Sequence, residues 1–419
     1  MKLKNYSTVL KNCTYLSLLN GLNIVLPLLV IPYLTNVIGA SHYGVYAYIL
    51  VLVQNINVIT QFGFQFTATK KIAQNRDDKL FVEQYCSNVL FARFLIASFC
   101  VALLFAVSRW ALDTDDRMFM FLTSLGIIYG DVFIPTWLFQ GMERMKYITI
   151  VNATAKILFT ILIFVVVLSP DDYIYIQLLN SCGYVLAAVL SMVLMRVQFH
   201  VKLRRPMMKG VLSEMREGLS LFFSMIGIDL YRNLNVVVLN FFVAEAAVGV
   251  YALAEKVIKA SQSFITPISQ ALFPHVSVKM KTDGMRSSMA LLLKSSMMLF
   301  VLTVVVAILI YFGGDLIISL LGQDFSEVKS LLVYMYPVLI FGCLNYLLGF
   351  VGLVNMGQQK FFFWAVFISG SLSLGVLTLF VSHYGVELAA LCLTISEIVL
   401  FGLCLTRLCY LRKHAKANE

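Results

Sequence analysis

The sequence is short of charge. Asp, Glu, Lys and Arg together make up 13% of its 419 residues, against about 25% in an ordinary soluble domain. So few charges leave a water-soluble surface unprovided for. The usual marks of catalysis and cofactor binding are missing as well. None of the eight cysteines stands in a C-x-x-C pair, and the five histidines do not cluster with cysteines or carboxylates at metal-ligand spacing. Most cysteines sit inside apolar runs, where a free thiol behaves as a small hydrophobe. There is no Walker A loop, no dinucleotide fingerprint after a strand and no nucleophile elbow. The expectation is a chain with no catalytic residue, no metal and no cofactor, and no ATP-driven cycle of its own.

What the sequence does have is hydrophobic length. Residues of the set A, V, I, L, M, F, W, Y and C make up 60% of the chain. They are collected into runs of the ~20 residues that cross a bilayer as a helix. This pattern predicts an all-α integral membrane protein of about twelve transmembrane helices. They are placed at approximately 13–37, 43–66, 84–108, 118–140, 147–168, 173–196, 217–243, 247–275, 289–312, 328–354, 361–382 and 385–408. The first run, Cys13 to Ile38, is too long for a signal peptide and lacks a small-residue cleavage site, so it reads as an uncleaved membrane helix. Connections are short and polar, such as SPDD at 169–172 and GGD at 313–315.

The net charge of +10 would suggest nucleic acid in a soluble protein. Its distribution points elsewhere. With both termini cytoplasmic, the connections on that side carry 24 Lys and Arg, whereas the opposite side carries Arg109, Arg117 and Lys329. That asymmetry is the positive-inside rule, with contact to anionic membrane lipids as a by-product, and it leaves no role for nucleic acid. The most basic connection, 197–216, has six predicted helices on either side. GVYA recurs at 44–47 and 249–252, and GMERMKY at 141–147 loosely matches GQQKF at 357–361. The expected organisation is a six-helix lobe over 1–200, a basic linker over 201–216 and a second six-helix lobe over 217–419, related as parallel repeats. The longest non-cytoplasmic connection, 109–117, is too small to house the catalytic loop of a membrane polymerase or glycosyltransferase.

Nine ionisable residues fall well inside predicted spans: Arg93, Asp131, Lys156, Asp229, Arg232, Glu255, Lys256, Lys259 and Glu397. Each costs at least ~2.5 kcal/mol at the bilayer centre, so such residues face one another or a wet pathway. Asp229 and Arg232, three apart, and Glu255 and Lys259, four apart, each share a helix face and are candidates for internal pairing. Arg93, Lys156 and Lys256 then stand against Asp131 and Glu397, a slight basic excess suited to an anionic solute. Asn20, Asn23, Gln54, Asn55, Asn57 and Gln61, with Asn233, Asn235 and Asn240, add polar groups that serve either interhelical hydrogen bonding or sugar contact. Pro27 and Pro32 in the first helix, and Pro267 and Pro274 after Gln262 in the eighth, mark candidate bending elements. Trp110, Tyr129, Trp137 and Phe361 to Trp364 read as an interfacial aromatic belt.

Several segments together resemble the Wzx-type flippases for O-antigen and related polysaccharide repeat units, in the multidrug/oligosaccharidyl-lipid/polysaccharide exporter superfamily. They are GLNIVLPLLVIPYLTNVIGASHYGVYAY at 21–48, QFGFQFTATKKIAQNRDD at 61–78, DVFIPTWLFQGMERMKYIT at 131–149, DLYRNLNVVVLNFFVAEAAVGVYALAEKVIKA at 229–260 and PISQALFPHVS at 267–277. The resemblance runs along the whole chain. It implies two six-helix lobes around a central cavity in the bacterial inner membrane. It also implies movement of an undecaprenyl-diphosphate-linked oligosaccharide from the cytoplasmic to the periplasmic leaflet, by alternating access in exchange for a cation. Other polysaccharide assembly proteins would then be partners. On that reading Arg93, Arg232, Lys256, Lys259 and Lys156 contact the anionic head, and Asp131, Asp229, Glu255 and Glu397 couple the ion. Two rivals share the fold: a cation-coupled exporter of drugs or metabolites, which calls for an acidic cavity, and a lipid II flippase, whose family usually carries two further helices.

Overall fold

A computed structural model describes the backbone of residues 2–282 and 284–417. Side chains are described over the same ranges except at 2–14, 16–17, 20, 24, 220–221, 223–232, 264, 266–271, 273–275, 277–282, 286, 317, 323 and 414–417. The side chains of Asn20, Asp229, Arg232, Pro267 and Pro274 therefore lie outside the described residues.

Every regular element among the described residues is helical. The α-helices are α1 (Lys2–Gln61), α2 (Phe64–Gln74), α3 (Lys79–Ala106), α4 (Ser108–Ala111), α5 (Asp115–Val132), α6 (Thr136–Gly141), α7 (Lys146–Val166), α8 (Ile176–Val197), α9 (Met208–Phe242), α10 (Glu245–Thr282), α11 (Gly284–Phe312), α12 (Gly314–Leu321), α13 (Val328–Asn345) and α14 (Gln359–Ala417). Short 3-10 turns occupy Pro170–Tyr175 and Gln323–Phe325, and a π-helical stretch, Tyr346–Leu353, continues α13. An all-helical solution follows from the medium, because backbone groups in hydrocarbon have to be satisfied within the segment itself.

The helices occupy the positions expected from the hydrophobic runs, with two differences in how they join. α1 covers the first two predicted spans and α14 the last two, each bent at a single glycine rather than separated by a loop. Gly39 has φ 73° and ψ 178°, and Gly385 has φ 61° and ψ −147°. Positive φ of this kind costs a residue with a Cβ ~1–2 kcal/mol, so glycine lets one helix end and the next begin without a connection. The fourth predicted span is instead broken in two. α5 stops at Val132 and α6 restarts at Thr136, because Pro135 has no N–H to continue the ladder.

Eight helical segments are long and apolar enough to cross a membrane among the described residues, two of them 54 and 55 residues long. The chain is a multi-pass membrane protein. The described part of α10 carries Glu255, Lys256 and Lys259. Large apolar side chains are widely exposed, including Phe312 at 78%, Met297 at 74% and Leu379 at 72%, as suits surfaces facing lipid. Where helices meet, small residues allow close approach. A Cβ on Gly183 of α8 would lie 2.5 Å from the Ala155 carbonyl oxygen of α7.

The chain divides into two compact units, Met1–Ile226 and Gly227–Glu419. In the first, Phe64, Ala68 and Ile72 of α2, Trp137 to Phe139 of α6, and Val82, Cys86 and Val89 of α3 form one buried cluster with α7 and α8. Trp137, expected in the aromatic belt, is 1% exposed and belongs to this core, whereas Trp110 is 80% exposed. The basic connection is irregular over 198–207 and helical from Met208. Its irregular part is strapped to the start of α3. Buried Glu83 receives the Arg204 Nε at 2.8 Å and the Lys202 N–H at 3.3 Å. Ser87 Oγ and Asn88 Oδ1 accept from the backbone N–H groups of Arg204 and Met207, at 2.8 and 2.9 Å. Lys71 of α2 then holds Glu214, at 2.9 Å, and Glu217 on the first turns of α9.

Gly39→Val and Gly385→Val are each expected to lower stability by ~1–2 kcal/mol, read as a fall in the melting temperature of the detergent-purified protein. Gly375→Ala, on a helix with nothing within 4 Å of the added Cβ, is expected to leave stability unchanged or raise it by up to ~1 kcal/mol. Valine variants that melt with the parent would contradict the role of the two glycines.

Candidate functional site

Within the first unit the polar groups collect where helices stop. The end of α5 presents carbonyls that lack a fourth-residue partner, and so does the end of α1. Arg93, on the buried face of α3, reaches both. Its Nη1 donates to Val132 O at 3.2 Å and to Ile134 O at 3.5 Å, and its Nε to Thr60 O at 3.4 Å. Its Nη2 donates to Asp131 Oδ2 at 2.7 Å. The guanidinium thus sits at the negative ends of two helix dipoles and is neutralised by a carboxylate in the last turn of α5. Arg93 is 4% exposed. The sequence alone set Arg93 and Asp131 among the leftover charges, whereas in the fold they form a pair, with the arginine's donors directed at its own chain.

Lys156, on α7, is half-buried and donates to Asn23 Oδ1 of α1 at 2.5 Å. Asn23 stands one turn before Pro27. Lys156 has no acidic partner among the described residues, so an amide oxygen supports its ammonium without cancelling the charge. The first unit also holds a cluster that hydrophobicity did not reveal. Gln65 Nε2 donates to Gln140 Oε1 at 2.6 Å, Thr136 Oγ1 donates to Gln65 Oε1 at 2.8 Å, and Thr69 Oγ1 donates to Gln140 Oε1 at 3.3 Å. Gln65 and Thr69 on α2, and Thr136 and Gln140 on α6, are each four residues apart on one helix face, but their meeting across some seventy residues was not legible in the sequence.

In the second unit the site is built on one face of α10. Tyr251, Glu255, Lys259 and Gln262 follow one another at helical spacing. Tyr251 Oη accepts from Asn235 Nδ2 at 3.0 Å. Glu255, 6% exposed, lies 2.9 Å from the Lys259 ammonium, which also donates to Asn233 Oδ1 at 3.2 Å. The Glu255 contact is ionic but poorly aligned as a hydrogen bond, since Oε1 has no well-directed donor. Gln262 Nε2 donates to Val338 O of α13 at 2.9 Å. A narrow cleft opens beside this row, lined by Glu255, Lys259, Gln262, Met335, Val338 and Leu393. Lys256, the next residue to Glu255, is half-buried.

Glu397, on the second arm of α14, is fully buried. Asn345 Nδ2 donates to its Oε2 at 2.7 Å and to its backbone O at 2.9 Å. Asn345 is the last residue of α13, and the helix widens to the π form from Tyr346. Asn345 was not foreseen, because a single asparagine in an apolar run reads as an ordinary packing residue. Among the described residues, no group of three or more His, Cys, Asp and Glu is placed to hold a metal ion.

Solved structures share this membrane-embedded helical fold. The lipid II flippase MurJ, inward closed, is similar with a TM-score of 0.73 at 14% identity, covering 95% of this chain and 87% of that one. An inward-facing multidrug resistance MATE family transporter of the MOP superfamily is similar with a TM-score of 0.67 at 14% identity, covering 93% and 99%. At that identity the likeness shows the fold, the all-α membrane fold of MOP-superfamily transporters. Residues 9–280 match the model of the polysaccharide biosynthesis protein family, and the chain belongs to that family as a Wzx-type member. A Shigella dysenteriae protein named "Putative O-antigen transporter" is 27% identical over 354 residues, 84% of this chain and 87% of its own length.

Removing one partner of a buried ion pair costs ~3–5 kcal/mol. Arg93→Met is therefore expected to lower the melting temperature sharply, and adding Asp131→Asn is expected to recover part of the loss. Equal stability of Arg93→Met and the parent, or a double variant worse than the sum of the two single ones, would refute the paired arrangement.

Proposed function

We propose that the protein is a flippase for a lipid-linked polysaccharide repeat unit. Its cargo on this reading is an undecaprenyl-diphosphate-linked oligosaccharide, carried from the cytoplasmic to the periplasmic leaflet of a bacterial inner membrane, with both chain termini cytoplasmic. Family membership, the fold and the O-antigen transporter relative support the class. The observation that carries the substrate reading is Lys156. A cation with no acidic partner among the described residues, held by an asparagine oxygen in a membrane helix, is expensive unless an anion visits it. Lys259 in the second unit is likewise held by an asparagine oxygen, that of Asn233, but is also paired with Glu255.

A diphosphate bearing several sugars cannot enter ~30 Å of hydrocarbon unaided. Ammonium groups of this kind supply point charges for its phosphates, while the polyprenyl tail stays in lipid. Lys256 and Arg232 complete the basic set on this reading. Arg93 acts as a positioning residue that fixes the break between α5 and α6. Transport proceeds by alternating access, and a cation entering at a carboxylate resets the cycle. Glu397 is the strongest candidate for that carboxylate, since its buried group is held by a neutral amide at the point where α13 changes helical form. Asp131, Asp229 and Glu255 are the others. Drug export by the same fold is the weaker reading, because organic cations gain nothing from Lys156.

Deleting the gene in its host is expected to abolish the surface polysaccharide while lipid-linked repeat units accumulate on the cytoplasmic side. Complementation with Lys156→Ala or Lys259→Ala is expected to restore less than roughly a tenth of the polysaccharide, about the loss of one charged contact, at normal membrane levels of the protein. Unchanged surface polysaccharide in the deletion strain would overturn the function. Full complementation by both lysine variants would overturn the site.

A further inference from the structure

The two arms of α14 leave a groove between them. It is lined from Ser369 to Val376 on the first arm and from Cys392 to Val399 on the second. Its floor is made of small side chains, Ser369, Ser373, Cys392 and Ser396, all buried, and its rim of large ones such as Leu372 and Ile395, 62% and 56% exposed. The groove holds about 140 Å³, close to the ~150 Å³ of an engineered apolar cavity that binds benzene. Counting the open mouth it measures about 430 Å³.

Position along the arms sets what can reach it. Val376 and Ser369 precede the Gly385 bend by 9 and 16 residues, and Cys392 and Val399 follow it by 7 and 14. At 1.5 Å per residue the groove runs ~10–24 Å from the bend. The bend carries exposed His383, Tyr384 and Glu387, and the far ends of the arms carry Lys360 and Arg407, so the groove lies within hydrocarbon ~30 Å thick. Neither arm has a Lys or Arg from Phe361 to Thr406. Glu397, the one charged residue between Cys392 and Val399, faces Asn345 of α13. A charged headgroup therefore finds nothing to meet here. One floor group is left wanting. Ser396 Oγ donates to Leu393 O at 2.7 Å, the usual way a serine is satisfied inside a helix. Ser369, 3% exposed, lines the groove with a buried hydroxyl that has no partner, and buried polar groups are rarely left so.

We propose that this groove seats the polyprenyl tail of the lipid-linked cargo, an inference that rests on the flippase reading for the source of the chain. Ser369 and Ser373, like Cys392 and Ser396, stand four residues apart, ~6 Å along one helix face. Each pair makes two notches between larger neighbours. A polyprenyl chain carries a methyl branch and a double bond in every isoprene unit. In any register it therefore brings branches to the notches and π electrons to the Ser369 hydroxyl, a weak contact of the X–H···π kind. A saturated acyl chain has neither. A helix from a second copy, ~10 Å across with its side chains, would rest on the rim and leave the floor empty. The exposed rim faces lipid, so the tail enters and leaves the groove without crossing protein.

The test is native mass spectrometry of the full chain in detergent, titrated with undecaprenol, a polyprenyl chain without a diphosphate. The parent is expected to retain undecaprenol at concentrations where dipalmitoyl phosphatidylglycerol washes off. Ser369→Leu fills the floor and removes the unpartnered hydroxyl. It is expected to weaken retention roughly tenfold, the scale of about two buried methylene groups, without lowering the melting temperature. Val376→Trp, which closes the groove from an exposed rim position, is expected to do the same. Leu379→Trp, exposed on the same arm outside the groove, is expected to change retention less than about threefold. Equal retention by the parent and both groove variants, equal retention of dipalmitoyl phosphatidylglycerol, or a dimeric parent that Val376→Trp renders monomeric would each overturn the proposal. Undecaprenol lacks the diphosphate, so failure here leaves the lysine site and the deletion phenotype untouched, and the two readings fail separately.

Discussion

A charge inside hydrocarbon has to be met by something other than bulk water, and the ion pair between Arg93 and Asp131 shows how far that requirement shapes the first unit. The arginine is affordable at 4% exposure because it has four acceptors within reach, and those acceptors exist because two helices end there. Pro135 stops α5, and the chain leaves the helix again near Gln61. The carbonyls freed at both ends would be as costly as the cation if left alone. Bringing them to one guanidinium, with Asp131 to neutralise it, resolves both problems together. The break in the fourth predicted span is thus supported by a side chain some forty residues away.

The second unit meets the same constraint with weaker partners. Glu255 and Lys259 neutralise each other along α10, Asn233 and Asn235 attach that row to α9, and Asn345 holds Glu397. Amides of this sort orient a charge without cancelling it. That difference separates a charge serving architecture from one kept in reserve for a ligand. Arg93 belongs to the first kind. Under the proposed function Lys156, supported by Asn23, belongs to the second.

The places where regular helix gives way carry the polar chemistry in both units: the α5–α6 break beside Asp131, and the π-helical stretch beside Asn345. Irregular backbone is tolerated at membrane depth only when packed in protein or lining a cavity. A π-helical stretch also leaves a helix with hydrogen bonds that can be exchanged at small cost, which is why such stretches recur at functional positions.

Hydrophobic length, read along the sequence, was enough to give the multi-pass all-α membrane fold, whereas the kinship to polysaccharide flippases rested on the resemblance of particular segments. Hydrophobic length is a local, additive property, settled by summing transfer energies over a window. The pairing of Glu255 with Lys259 was legible too, because a spacing of four residues defines one helix face. Arg93 with Asp131, Lys156 with Asn23, and Asn345 with Glu397 were not legible, since 38, 133 and 52 residues separate the partners. Which charge is satisfied and which stays available is decided by helix packing, where a displacement of a few ångströms makes or breaks a contact. Likewise Trp137 reads as interfacial by its position in a span, and only the packing of α6 against α2 and α3 turns it inward. The sequence on its own determined that charges are buried in a bilayer; the tertiary structure decided which of them have partners, because Coulomb and hydrogen-bond energies depend on distances that no window along the chain contains.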